Sequence, residues 1–188
     1  MLFLQKIDDM KLHLKLHHSH SAYEWLKKQA NKVGAAGHVG THIDCYTTLP
    51  PEPTTTVGCV VINHSELKSQ NFTKIDLNKK ALVIYTGNIE ENGYGSPQYS
   101  NLDSTIDKDT LINILQANPK FILIDSHGIA PHGKEHISND MLCERSNCFV
   151  IENVDLKRDT LKFIINIEIA IDINNKSTGK PCTISCLT

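Results

Sequence analysis

The sequence lacks the roughly 20-residue apolar run that a membrane-spanning helix needs. It lacks an excess of positive charge. Nineteen Lys and Arg stand against 21 Asp and Glu, mixed along the chain, so the basic patch of a nucleic-acid binder is missing. No two of its six cysteines are spaced as C-x-x-C, which argues against a zinc ribbon or a redox dithiol. The opening residues, Met1 to Asp9, turn acidic too soon for a signal peptide. Repeats and low-complexity segments are absent. What remains is a cytoplasmic globular chain, expected as one domain over residues 1–188. In a reducing compartment Cys45, Cys59, Cys143, Cys148, Cys182 and Cys186 are expected as free thiols, several of them buried.

Short apolar runs rich in β-branched residues mark strands at 58–62, 81–86, 121–125 and 149–152. The last two end in carboxylates, Asp125 and Glu152. Every odd position from Leu161 to Ile173 is apolar, which predicts one long half-buried strand. A final strand is expected over 182–187, after a turn at Gly179-Lys180-Pro181. Helices are expected from a capping box at Ser21-x-x-Glu24 to about Asn31 and over 107–117, with a short one capped by Ser138. The Pro- and Thr-rich stretch 49–56 and the Gly-rich stretch 87–101 read as loops. The mixture is α/β with more strand than helix. Few helices cannot cover both faces of a large parallel sheet, so a mixed, partly closed sheet is expected.

The sharpest chemical feature is His38-Val39-Gly40-Thr41-His42-Ile43-Asp44. In an extended segment residues 38, 40, 42 and 44 share one face. A straight strand would hold the two histidine Cα atoms about 13 Å apart, near the limit for sharing one ion. The chain must therefore bend at Gly40 or curl helically, where i and i+4 meet. Either way two imidazoles and a carboxylate converge, with coordination positions left open for water, as a catalytic metal site requires. The bland alternative is a pair of turn histidines beside a capping Asp. Cys45 is adjacent, but no base is specified beside it, and a buried thiol is the simpler reading.

His38-x-Gly40-Thr41-His42-x-Asp44 resembles the H-x-G-T-H-x-D signature of the cyclase family, which includes kynurenine formamidase (arylformamidase) and isatin hydrolase. Other segments resemble it in the family's order. They are Tyr85-Thr86-Gly87, Ile124-Asp125 with Pro131, Ile151-Glu152-Asn153, and Gly179-Lys180-Pro181. The resemblance implies a swivelling β/β/α fold and a homodimer or larger homo-oligomer. It also implies a hydrolytic site of one or two ions, Zn2+ as a rule with Mn2+ also known. Carried over by position, His38, His42 and Asp44 would bind the first metal, Asp44 could bridge to a second, and Glu152 would match a late metal-binding glutamate. On local evidence alone, without the order of the motifs, Glu152 reads as an exposed strand end paired with a lysine.

Three departures stand out. Thr48 occupies the place of a histidine that serves the family as general acid/base, with Tyr46 at the preceding proline, and threonine cannot shuttle protons near pH 7. Asp140 stands where the family has a metal-binding histidine, as a harder ligand or as an anion near a helix start. Gly128 and Ala130 replace a serine and an aspartate. Among the remaining histidines, His127, His132 or His136 could supply the missing imidazole. His17, His18 and His20 sit where the family's N-terminal part approaches substrate, and Tyr94 and Tyr99 could line a pocket. The expected activity is metal-dependent hydrolysis of an amide or cyclic amide C–N bond in a small molecule, with metal ligands His38, His42, Asp44, Asp140 and Glu152 and the proton carrier unassigned. The alternative is a protein of the same fold that binds metal or a small ligand without turnover.

Overall fold

The computed structural model describes residues 11–16 and 18–187. His17 and the opening segment read for a signal peptide fall outside them. Strand β1 (Lys11–His13) precedes helix α1 (Tyr23–Asn31). A 3-10 turn over Ala36–His38 leads into β2 (His42–Asp44). Then come β3 (Thr54–Asn63), β4 (Ala81–Tyr85), α2 (Asn88–Asn92), α3 (Pro97–Asn101), α4 (Lys108–Gln116) and β5 (Phe121–Ile124). Helix α5 (Lys134–Arg145) and strands β6 (Phe149–Glu152), β7 (Asn166–Ile171) and β8 (Gly179–Leu187) complete the order.

The strands run β8-β2-β6-β5-β4-β3-β7, and β7 pairs back onto β8, so the mixed sheet closes on itself with β1 added beside β8. Strands β3 to β6 pair in parallel, and the other pairings are antiparallel. Closure explains why β4, β5 and β6 read as unbroken apolar runs. Ala81, Val83, Phe121, Leu123, Phe149 and Ile151 pack inside the closed sheet with Ile43, Ile167 and Ile184. The intervening Leu82, Ile84, Ile122, Ile124 and Val150 pack outside against Leu111, Ile114 and Cys143 of α4 and α5. Both faces are covered, so both phases of each strand must be apolar.

Several expectations need correction. Thr54–Thr56 are the start of β3, because their amides and carbonyls pair with β7. The stretch 87–101 folds into α2 and α3, where Ser96 caps α3 by accepting from the Tyr99 amide. The alternating run 161–173 is strand only from Asn166 to Ile171. Residues 158–163 form a 3-10 turn, which leaves Phe163 and Ile165 exposed. Period-two spacing does not distinguish an apolar residue facing the core from one facing out of a turn. Gly179-Lys180-Pro181 pairs with β2 as the start of β8. Helix α1 forms without the expected capping box: its N-terminal residue Ala22 receives no side-chain cap. The six cysteines are free, and Cys45, Cys143, Cys148, Cys182 and Cys186 are buried. No helix among the described residues is long and apolar enough to cross a membrane.

Candidate metal centre

Strand periodicity places the first residues. Ile43 points into the closed sheet, so His42 and Asp44 share the outer face of β2. His42 pairs in register with Glu152, the last residue of β6, whose neighbour Ile151 also points inward. Two carboxylates and an imidazole therefore meet on one patch of the outer face. His38 reaches them because the chain bends at Gly40, which adopts φ +76°. A Cβ there would lie 2.8 Å from the Tyr23 ring, so backbone conformation and packing both demand glycine. The bend, not the helical curl, brings the two imidazoles to a ring separation of 5.1 Å.

Helix α5 packs over this patch and supplies the rest. It begins at Lys134, a full turn before the Ser138 cap expected from the sequence. That turn matters, because it places His136 and Asp140 at i and i+4 on the face turned to the sheet. His136 Nε2 lies 3.2 Å from Asp140 Oδ2, 3.3 Å from Glu152 Oε1 and 3.5 Å from Asp44 Oδ2. On the other side of the same carboxylates, His42 Nε2 lies 3.6 Å from Asp44 Oδ1 and 3.6 Å from Glu152 Oε2. His38 Nδ1 is 3.0 Å from Asp44 Oδ1. Asp44 and Glu152 thus each turn one oxygen toward His42 and the other toward His136. Two groups of candidate ligands result, His38/His42/Asp44 and Asp44/His136/Asp140/Glu152, joined at Asp44.

The cluster is poorly satisfied without a cation. Asp44, Asp140 and Glu152 are each at least 97% buried. Among the described residues, His42 Nε2, Glu152 Oε1 and both Asp140 oxygens lack a hydrogen-bond partner. One proton on His136 Nε2 cannot satisfy three carboxylates at once, and unpartnered buried charge is costly. The strain shows in the acidities. Burial, followed by repulsion from Asp44, raises the Glu152 carboxyl well above its ordinary range. Burial pushes Asp140 up to about 7. Burial works against a charged His136, but Asp44, Glu152 and Asp140 outweigh it and hold the imidazolium to about 10. Burial would raise Asp44 too, yet His42, His136 and His38 hold it below the carboxylate range. A divalent ion with ligand bonds of about 2.0–2.1 Å needs tetrahedral donors roughly 3.3–3.4 Å apart, which the spacings above approximate. The residues present fit a metal.

Partners beyond the cluster set the ring orientations. His42 Nδ1 donates to the Gly40 carbonyl at 2.9 Å, and that oxygen can only accept, so neutral His42 presents Nε2 as a lone pair toward the carboxylates. Burial lowers the pKa of His42, which favours this neutral form. Asn153, with φ +56°, donates to the same carbonyl at 3.0 Å and accepts from the Tyr99 hydroxyl. His38 Nε2 accepts the Gly179 amide at 3.0 Å and lies 2.9 Å from Thr178 Oγ1, an alternative acceptor when Nε2 carries the proton. Gly128, with φ +116°, passes so close that a Cβ would lie 2.5 Å from both Glu152 Oε1 and His136 Cε1. The serine of the resembled pattern could not stand there beside His136.

Other residues singled out in the sequence have different roles. Asp125 accepts from Thr86 N at 2.6 Å, Thr86 Oγ1 at 2.8 Å and Gly87 N at 2.8 Å, so it pins the turn after β4 and takes no part in the cluster. Thr48 is exposed and borders a separate cavity with Leu49 and Phe149. Buried Glu144 accepts from the amides of Tyr46, Thr47 and Thr48 and from the Thr47 hydroxyl, tying this loop to α5. Burial, then Glu144, pushes the Cys45 thiol up to about 12, so it supplies no thiolate near neutral pH. A cavity of about 740 Å³ opens over His38, His42, Glu152 and His136, and Trp25, Tyr46, Tyr94, Tyr99, His127 and His132 form much of its wall. His20 contributes an edge contact to Tyr94 at 5.6 Å. His18 sits against the Tyr23 ring at 4.7 Å.

The same architecture occurs in solved structures. A novel cyclase superposes with a TM-score of 0.63 at 12% identity, covering 97% of this chain and 88% of its own. The chain has the cyclase fold. Isatin hydrolase A from Labrenzia aggregata, bound to benzyl benzoate, matches with a TM-score of 0.58 at 14% identity over 81% of this chain and 74% of its own. A predicted metal-dependent hydrolase from Bacillus stearothermophilus matches with a TM-score of 0.58 at 14% identity over 79% and 76%. No family model and no curated protein matches the sequence. Identity this low leaves the site to be judged on its own geometry.

Proposed function

We propose that this chain is a metal-dependent hydrolase that cleaves an amide or cyclic amide C–N bond of a small molecule. The observation that carries the reading is the pair of buried carboxylates, Asp44 and Glu152, each aimed at two imidazole-bearing centres and left unsatisfied without a cation. Residues His38, His42, Asp44, Glu152, Asp140 and, in addition, His136 would hold one or two divalent ions, with Zn2+ as the leading candidate. Bound there, the ion would supply Lewis-acid polarisation of a substrate carbonyl and lower the pKa of water to near neutral.

The chain's own groups do the rest. The Gly40 carbonyl and Asn153 keep the His42 lone pair facing the carboxylates. Tyr94 and Tyr99, stacked edge to face at 5.4 Å, offer a flat apolar wall for a planar substrate beside the cluster. The proton carrier that Thr48 cannot be is assigned to His132. This imidazole lies in the same cavity, ring to ring with His127 at 5.0 Å and His136 at 5.5 Å. Burial, then His127 and His136, lowers its pKa, which keeps the ring neutral near pH 7 with a nitrogen lone pair free to act as a base. The fold shared with isatin hydrolase supports a cyclic or aryl amide as the substrate class. A homodimer or larger homo-oligomer is part of the proposal by the same resemblance.

Hydrolysis of formamides, lactams and cyclic imides by Zn2+- and Mn2+-loaded protein tests the reading. Metal-dependent turnover of one class is expected. Tight, stoichiometric metal binding with no turnover across all of them would instead favour the binding protein without catalysis.

A further inference from the structure

The two candidate ligand groups are chemically unequal. The first offers two imidazole nitrogens, His38 Nδ1 and His42 Nε2, with Asp44. The second offers one imidazole nitrogen, His136 Nε2, against three carboxylates, Asp44, Asp140 and Glu152. The difference arises inside α5. The residue at 140 is an aspartate, and the nitrogen comes from one helical turn earlier, at 136. Gly128 completes the change, since any side chain there would collide with His136 and Glu152. Asp140 is no incidental surface acid. It is 98% buried, and among the described residues neither oxygen has a hydrogen-bond partner.

Imidazole-rich sites suit Zn2+, while carboxylate-rich sites suit harder ions such as Mn2+ and Mg2+. Zn2+ outcompetes Mn2+ at most nitrogen and oxygen sites, so hardness narrows that preference without reversing it. Charge works in the same direction. Three carboxylates and one neutral imidazole leave a divalent ion over-neutralised, a setting that favours a larger coordination number filled out by water.

Resting on the reading that this cluster binds metal, we propose that the protein is a mixed-metal site, with Zn2+ held by His38, His42 and Asp44 and a harder ion of the Mn2+ class held by His136, Asp140, Glu152 and Asp44. When Zn2+ is limiting, it fills the first centre and leaves the second to Mn2+.

The test loads metal-free protein with one equivalent of Zn2+ and an excess of Mn2+, removes unbound ions by gel filtration, and measures both metals together with the Mn2+ paramagnetic resonance spectrum. One Zn2+ and one Mn2+ per chain are expected, with a bound-Mn2+ spectrum. Asp140→His restores a second nitrogen and should shift retention at the second centre from Mn2+ toward Zn2+. His136→Gln should release the Mn2+ while one Zn2+ stays, with thermal unfolding confirming that each variant is folded. Retention of the one equivalent of Zn2+ with no bound Mn2+, or Mn2+ retention unaffected by both variants, overturns the mixed-metal inference and leaves the hydrolase reading intact. Failure of the wild-type protein to retain any divalent ion overturns both.

Discussion

Stripping the metal should change the sign with which stability responds to alkaline pH. In the metal-free cluster burial works against a charged His136, but Asp44, Glu152 and Asp140 prevail and keep its proton to about pH 10. An unfolded-chain histidine releases its proton near pH 6.5. Between those two values the folded chain binds one more proton than the unfolded chain. Stability from this group is therefore complete below pH 6.5 and declines through pH 10, by about 1.4 kcal/mol per unit. From pH 7 to 8.5 the loss reaches about 2 kcal/mol, and solvent that reaches the pocket rim would trim it toward about 1 kcal/mol. For a chain of this size that is a fall in Tm of roughly 2–8 °C. Two carboxyls share this window: Asp140, raised by burial to about 7, and Glu152, raised well above its ordinary range by burial and then Asp44, also keep protons that the unfolded chain has released, and they add to the decline. His42 and His132, both lowered by burial, are neutral in folded and unfolded states there. The thiols of Cys45 and Cys59, pushed up to about 12 by burial, add to the decline only as unfolded thiols ionise near their ordinary range, around pH 8.5–9. A bound divalent ion displaces the His136 proton, and metal affinity itself rises as ligands deprotonate. Zn2+-loaded protein should hold or gain stability over the same interval. Scanning calorimetry at pH 7, 7.5, 8 and 8.5, on chelator-treated and reloaded protein, reads both slopes. His136→Gln should reduce the metal-free slope, leaving the part that Asp140 and Glu152 contribute. Parallel slopes with and without metal would refute the placement of His136 among the ligands.

Gly128→Ala should cost about 1–3 kcal/mol of stability and reduce bound metal, because the new Cβ would lie 2.5 Å from Glu152 Oε1 and His136 Cε1; unchanged Tm and metal content would show that the site relaxes freely. Glu144→Gln should leave at least one amide of the 46–48 loop without its acceptor and cost about 1–3 kcal/mol, with metal stoichiometry preserved. Loss of metal without loss of stability would make Glu144 a ligand instead. His132→Gln should lower turnover about 100-fold or more with metal content unchanged, and full activity in this variant would remove His132 from proton transfer.

The sequence carried much of the fold in particular places. The apolar runs at β4, β5 and β6 were legible because burial on both faces leaves no polar phase. The run at 161–173 was less so: its alternation continues through a 3-10 turn and the residues after it, where Phe163 is 43% exposed and Ile165 65% exposed. Loops 49–56 and 87–101 were misread for one reason, that Pro, Gly and Thr mark turns locally while tertiary pairing can still recruit them. Thr54–Thr56 join β7, and Pro97 begins α3. In the site, His38, His42 and Asp44 were legible from seven consecutive residues. Their convergence with Glu152 was expected only through the family resemblance, because spatially it depends on the register between β2 and β6. His136 had a local signal in its i, i+4 spacing to Asp140. Starting α5 at Ser138 left His136 outside the helix, so it stood only as one of three histidines that could supply the missing imidazole. Glu144, Asn153 and the contact made by Gly128 carry no spacing signal, since their partners lie across the fold.

The departures at positions 140 and 48 are of different kinds, and the fold shows why. Position 140 lies on a helix face already directed at the cluster, so an imidazole lost there can be regained one turn away at 136 with its nitrogen aimed at the same carboxylates. Position 48 offers no such neighbour. Its loop is drawn onto Glu144 through the amides of Tyr46, Thr47 and Thr48, and Thr48 itself turns outward to a separate cavity. The residue left facing the metal pocket from this loop is Tyr46, whose hydroxyl burial and the surrounding carboxylates keep protonated, able to donate a hydrogen bond but not to take up a proton near neutral pH. The proposed replacement base comes from the segment between β5 and α5, whose His127 and His132 line the same cavity. Ligand exchange within one helix keeps a nitrogen on the cluster while adding a carboxylate, and exchange of the base moves the proposed proton carrier from the 46–48 loop to the segment between β5 and α5.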